Sequence, residues 1–473
     1  MAGGLEATRL ALGTFRDRID SIGRPTLRLG VTGLSRAGKT VFITALVHAL
    51  TRGARLPMLD AQSGGRIAKV RLEPQPDDGV PRFQIEDHID TLTRDRRWPD
   101  STRAIAQLRL AIEYESPNTW FGKRRKLALD IVDYPGEWLL DLPLLNQDFA
   151  EFSRRAFELA NEGVRRALSD EWRSAIETVD ATADADEREA ERLHDAFTRY
   201  LRACREDAHA LSTLPPGRFL MPGDLEGSPA LTFSPLPPVE RSYPRGSLGA
   251  LMARRYEAYK DVVVRPFFRD HFARLDRQVV LIDALQAMNA GPDAVTDLSR
   301  ALADILVSFR PGRTNPLTAL FDRRIDRLLV AATKADHLHR GDHDKLAQIV
   351  AALVEVAADR ADRSGAQVDC AAIAAVRATR EARDGDDEDA LPLIVGTPMR
   401  GETVDGRIFD GKTEIAIFPG DLPATPRVAL TEDQTDLIRF VRFRPPVVEG
   451  ANSDLPNIRL DRALQFLIGD RLE

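Results

Sequence analysis

At 473 residues the chain is too long for one ordinary domain, so two or three cores are expected. Its 43% apolar and 29% charged residues are those of a soluble globular protein. A net charge of −7 argues against nucleic-acid binding driven by bulk charge, and no stretch supplies the ~20 apolar residues that cross a bilayer. Cys204 and Cys370 lack metal-ligand spacing and read as buried or free thiols of a reducing cytosol rather than a disulfide.

In chain order, residues 1–20 pattern as an amphipathic helix with Leu5, Leu12, Phe15 and Ile19 near one face. It reads either as a packing arm or as a membrane-surface or partner contact, and Glu6 and Arg9 interrupt any signal-peptide core. Buried strands are predicted at Leu27–Thr32, Leu127–Val132, Val279–Ile282, Leu328–Ala332 and Ala371–Val376, with an edge strand at Gln107–Tyr114. Helical patterns, among them Thr40–Leu50 and Val295–Ser308, alternate with them. The fold class expected from this alternation is α/β, a doubly wound, mostly parallel sheet. Residues 51–101 read as an extended loop. Residues 144–275 read as a mainly helical insert, broken by Pro and Gly between Leu214 and Pro238; the acidic tract Asp180–Glu191 reads as a solvated helix face. Thr403–Phe418 patterns as a hairpin turning at Asp410-Gly411, and Asn457–Leu472 as a closing helix. The implied division is 1–143 and 276–400 for the two parts of the nucleotide domain, 144–275 for the insert, and 401–473 for a hairpin and helix packed on the first.

GLSRAGKT, residues 33–40, satisfies the phosphate-loop pattern between a strand and a helix. Gly33 and Gly38 let the backbone approach an anion, and the amides of Ser35, Arg36, Ala37 and Val41 lie around it. Lys39 is placed to bridge the β- and γ-phosphates, and Thr40 to give its hydroxyl to Mg²⁺. In LALDIVDYPGE, Asp133 ends a strand where it can hold Mg²⁺ through water, and the Gly136 N–H can sense the γ-phosphate. Strand Leu328–Ala332 runs into Thr333-Lys334-Ala335-Asp336. A carboxylate there can accept from both guanine N1–H and the exocyclic amino group, a donor pair adenine lacks, while Lys334 lays its stem over the base. The competing reading of Lys-x-Asp is a helix cap. The backbone at Arg377 and Ala378 is placed to reach guanine O6. Thr102, in RRWPDSTRA, is the candidate switch hydroxyl for Mg²⁺ and the γ-phosphate; Trp98-Pro99 reads as a packing anchor.

Taken in order, the phosphate loop, WPDST, DYPGEW, the helical insert, TKAD, VRATR and IRLDRALQFLIGDRLE resemble the YcjX-like family of bacterial stress-associated P-loop GTPases over nearly the whole chain. The resemblance implies GTP and GDP as ligands, a cytoplasmic location, an inner-membrane protein partner and a link to envelope stress. Thr333 stands where an Asn is usual, which removes some support of that loop.

Arg36 is an unusual residue for a phosphate loop. The same placement looks like the loop of guanylate-binding proteins and atlastins, where it is an internal arginine finger. Two readings stand: Arg36 is a catalytic arginine in cis, swung inward when a partner or second copy covers the site, or it points to solvent or pairs with an acidic neighbour. Glu137 stands where a Gln often orients the attacking water. Function is then open between a slow GTPase switch, a GTP-binding scaffold and a P-loop kinase or ATPase, against the last of which TKAD argues.

Overall fold

The computed structural model describes residues 25–34, 36–100, 104–117, 124–237, 242–308, 325–362, 366–384, 391–404, 406–423, 440–449 and 453–473. The N-terminal helix, Ser35 and Thr102 of the sequence reading lie outside the described residues.

A seven-stranded sheet runs in the order β2-β3-β4-β1-β5-β6-β7. Its strands are β1 (Thr26–Gly33), β2 (Ile67–Glu73), β3 (Ala106–Glu115), β4 (Arg124–Asp133), β5 (Arg277–Ile282), β6 (Arg327–Ala332) and β7 (Gln367–Ala372). β4, β1, β5, β6 and β7 are parallel, and β2 and β3 are antiparallel additions at one side. Alternation along the buried strands divides the core. Val280, Ile282, Leu328 and Val330 face the cluster that contains the insert, whereas Val279, Leu281, Leu329 and Ala331 face the other.

On that second face lie α1 (Lys39–Arg52) and the C-terminal helix Leu460–Ile468, whose Leu464, Leu467 and Ile468 are fully buried. The first face is covered by the insert and by the helices Pro292–Ser308 and His343–Asp362. Within the insert, Asp148 caps Phe149–Ala160 by accepting from the Glu151 N–H at 2.8 Å. The long helix Glu187–Arg205 buries Leu193, Phe197 and Leu201 on one stripe.

Five expectations are corrected. Residues 51–101 contain β2 and the helix Ile85–Thr93, so β3 is an inner strand. β2 was hidden because Lys69 and Arg71 interrupt its apolar run on an edge. β7 ends at Ala372, four residues before the expected Val376. Asp180–Asp186 precedes its helix, with Asp186 as the cap. Thr403–Val404 pairs with Arg407–Ile408, so the hairpin does not turn at Asp410-Gly411; Ile415–Ile417 pairs instead with Leu391–Gly396. Asp410 folds its own loop by accepting from the N–H groups of Lys412 and Thr413.

Candidate nucleotide site

Parallel register brings the carboxyl ends of the central strands to one edge. Asp133 lies across from Val31, Leu281 from Gly33, and Ala332 from Ile282, so the loops after β1, β4, β5 and β6 share one crevice. A cleft of about 320 Å³ opens there. Gly33, Arg36–Val41, Gly136 and Glu137 line one end, and Thr333, Lys334 and Asp336 the other.

Gly38 adopts φ 75, a left-handed conformation that favours glycine, and it starts α1 with no side chain capping the helix. The first amides of a 14-residue helix are thereby turned toward the loop, an arrangement suited to an anion. Lys39 is buried and contacts Asp133. Burial holds the Lys39 ammonium below its ordinary pKa, against the pull of Asp133. Gly136 packs directly on the loop, where a Cβ would come within 2.0 Å of the Gly33 carbonyl oxygen. No larger residue fits that approach.

At the far end Asp336 is 4% exposed, and its carboxylate accepts from the Ala378 N–H at 2.7 Å. Burial pushes its pKa up to about 6, against the pull of that N–H and of the Arg377 and Lys334 charges. Lys334 sits in the left-handed region at φ 61, contacts Asp283 and lies 5.2 Å over the Phe440 ring. Thr333, which also lines the cleft, donates its hydroxyl to the Ile282 carbonyl at 3.2 Å and so ties the end of β6 to β5. His337, pushed down to about 3 by burial and by Lys334, stays neutral and packs against Phe440 and Phe443.

Arg377 and Ala378 stand just beyond the cleft wall. The Arg377 N–H donates to the Pro456 carbonyl and the Ala378 N–H to Asp336, and neither residue lines the cleft. Because β7 ends early, Ala374, Ala375 and Val376 occupy that wall. Arg36 takes the acidic-neighbour arrangement, on Asp207 of the insert, at φ 59. Glu137 is bonded to Arg205 at 2.7 Å.

Sequence reasoning missed Arg205, Met399, Arg442 and Phe443, all of which line the cleft. Segment 440–444 reaches it through bonds from Arg444 N–H to Thr397 and from Met399 N–H to Arg442. Trp98 anchors the same segment by donating to the Phe443 carbonyl at 2.6 Å.

Thr40 and Asp133 are oxygen donors at adjoining strand and helix ends, a hard-ligand set that fits Mg²⁺ held otherwise by phosphate and water. Among the described residues no cluster of three or more His, Cys, Asp or Glu could hold a metal ion.

A phosphate loop at the switch point of a doubly wound sheet defines the P-loop class. Within it, the profile of the YcjX-like family, DUF463, matches residues 27–472, and the chain belongs to that family. It is 39% identical over 461 residues to a protein of Escherichia coli K12 named Ras-like GTPase YcjX, spanning 94% of this chain and 96% of the relative. It is 34% identical over 473 residues to a protein of the same name from Shewanella oneidensis MR-1, spanning 94% and 95%.

Proposed function

We propose that the chain is a Mg²⁺-dependent GTP-binding protein and slow GTPase that acts as a nucleotide-dependent switch. The observation that carries this reading is a single cleft lined at one end by the GLSRAGKT loop and at the other by buried Asp336. Both relatives are named GTPases, and their matches span this chain almost entirely.

In this reading the loop amides and Lys39 hold the phosphates, and the Gly136 N–H meets the γ-phosphate. Thr40, Asp133 and Thr102 would hold Mg²⁺, which when bound neutralises the β- and γ-phosphate oxygens. The Asp336 carboxylate accepts from guanine N1–H and the 2-amino group, Lys334 covers the base, and the backbone of Ala375 or Val376 replaces Arg377 and Ala378 beside O6. Arg36 is the internal arginine and Glu137 orients water; their pairing with Asp207 and Arg205 supports a low basal rate.

The family resemblance supports an inner-membrane protein partner, a link to envelope stress and a cytoplasmic location; a homodimer would cover the site. Among the described residues no helix is long and apolar enough to cross a membrane.

A nucleotide panel in magnesium buffer tests the reading. GTP and GDP raise the melting temperature and ATP does not; an equal shift with ATP contradicts guanine recognition. Phosphate release from GTP then separates a slow GTPase from a scaffold that only binds.

A further inference from the structure

Three guanidinium groups converge on the phosphate end of the cleft. Arg36, Arg205 and Arg442 all line it, and burial together with the charges of Arg442 and Arg205 depresses the Arg36 pKa. Like charges so close are unfavourable unless anions answer them. Here Glu137 holds Arg205 at 2.7 Å, while Asp207 takes Arg36 and lies 3.3 Å from Arg442.

Arg205 ends the helix Glu187–Arg205, and the chain leaves it at Glu206 in an extended conformation with ψ 151. That exit places Arg205 on Glu137 and, two residues later, Asp207 on the loop arginine. The side chain of Arg205 is 23% exposed against 56% for Arg36, so the insert arginine is the better shielded of the two. Its partner Glu137 directly follows Gly136, whose backbone abuts Gly33. Arg205 therefore stands on the Gly136 side of the loop, where the reading above puts the γ-phosphate.

We propose that Arg205 is a second catalytic arginine, contributed by the helical insert, which exchanges Glu137 for the γ-phosphate when GTP fills the cleft. This rests on the GTPase reading above. A triphosphate presents several oxygens to the planar guanidinium fork and competes effectively with one carboxylate. Glu137, once released, accepts a hydrogen bond from the attacking water. The water oxygen then bonds to the γ-phosphorus, and the bond from that phosphorus to the β–γ bridging oxygen breaks with its electron pair retained by GDP. The water proton ends on the inorganic phosphate. Arg205 offsets the charge that gathers on the bridging and γ oxygens, and the exchange couples the end of the insert helix to the nucleotide state.

Single-turnover GTP hydrolysis and GDP calorimetry on the full chain test this with Arg205→Ala, Arg205→Lys, Glu137→Gln and the double variant Arg205→Ala/Glu137→Gln. Arg205→Ala is expected to slow hydrolysis at least ~10²-fold, less than the ~10³–10⁵ attributed to a sole arginine because Arg36 remains. Its GDP affinity should change less than about threefold, since the γ-phosphate contact is absent in GDP. Arg205→Lys restores only part of the rate. The loss must persist when Arg205→Ala is added to Glu137→Gln; if Arg205 merely holds Glu137, the double variant equals Glu137→Gln alone and the inference fails. An unchanged rate in Arg205→Ala with intact GDP binding also overturns it and leaves guanine recognition standing. Wild-type protein without guanine affinity overturns both.

Discussion

Burying the Asp336 carboxyl disfavours its ionised form, which is why its pKa is pushed up to about 6. Only the carboxylate accepts from both guanine donors, so below that pH each binding event must first strip a proton from Asp336. GDP affinity is predicted to be flat above pH 6 and to fall about tenfold per pH unit below it. Calorimetry from pH 8 to pH 5 checks this, with Asp336→Asn as the variant that does not titrate; a wild-type affinity independent of pH across that window contradicts it. At this scale the sequence was readable wherever chemistry dictates residue type. Lys39, Thr40 and Asp336 line one cleft and Asp133 contacts Lys39, and all four stand in short motifs whose residue types the sequence displays. Which backbone N–H of 374–378 faces the cleft was not legible, because such groups carry no residue signature and β7 ends four residues earlier than its apolar run suggests.

Between elements, the segment Gly136–Asn146 after Asp133 is clamped to the insert. Asp141 is buried and accepts from the Gly217 N–H at 2.7 Å and from the Tyr259 hydroxyl at 2.5 Å. Gly217 itself is obligatory, because a Cβ would come within 1.9 Å of the Glu137 carbonyl oxygen. The Arg218 guanidinium lies 3.3 Å over the Trp138 ring, adding a cation–π contact to the same seam. Asp141→Ala leaves both donors without their acceptor and is predicted to cost roughly 1–3 kcal/mol for each, read from urea denaturation. Burial raises the Asp141 pKa to about 7, so the folded chain holds this proton more tightly than the unfolded chain does. Its contribution is therefore full at acid pH and is lost as pH rises from the ordinary carboxylate range through about 7. Asp141→Asn should flatten that slope, and an unaltered slope would contradict the assignment. None of this seam was legible, since contacts such as Asp141 to Tyr259 join positions with no shared periodicity. The long helices and the buried strands were legible because their burial writes regular apolar spacing; the helix Ile85–Thr93, which buries only Ile85 and Leu92, was not. β2 was not, because an edge strand tolerates Lys69 and Arg71.

For the molecule as a whole, the cleft belongs to no single stretch of chain. The loop after β1 and the loop after β6 come together through β5, the insert adds Arg205, and the C-terminal segment closes the wall with Arg442 and Phe443. The parallel sheet and closing helix were readable from alternating strand and helix patterns. The strap at 440–444 was not, since only a fold that returns to the nucleotide edge gives Phe443 a role there. The central claim is that one guanine nucleotide bridges these parts, with its base on Asp336 and its phosphates on the loop around Lys39. Exchanging that carboxylate for an amide turns one acceptor into a donor, which suits xanthine, whose C2 carbonyl replaces the guanine amino group. Titration of GDP and xanthosine diphosphate into wild type and Asp336→Asn is the most direct measurement. The wild type should prefer GDP and the variant xanthosine diphosphate; a variant that keeps wild-type GDP affinity would contradict the account.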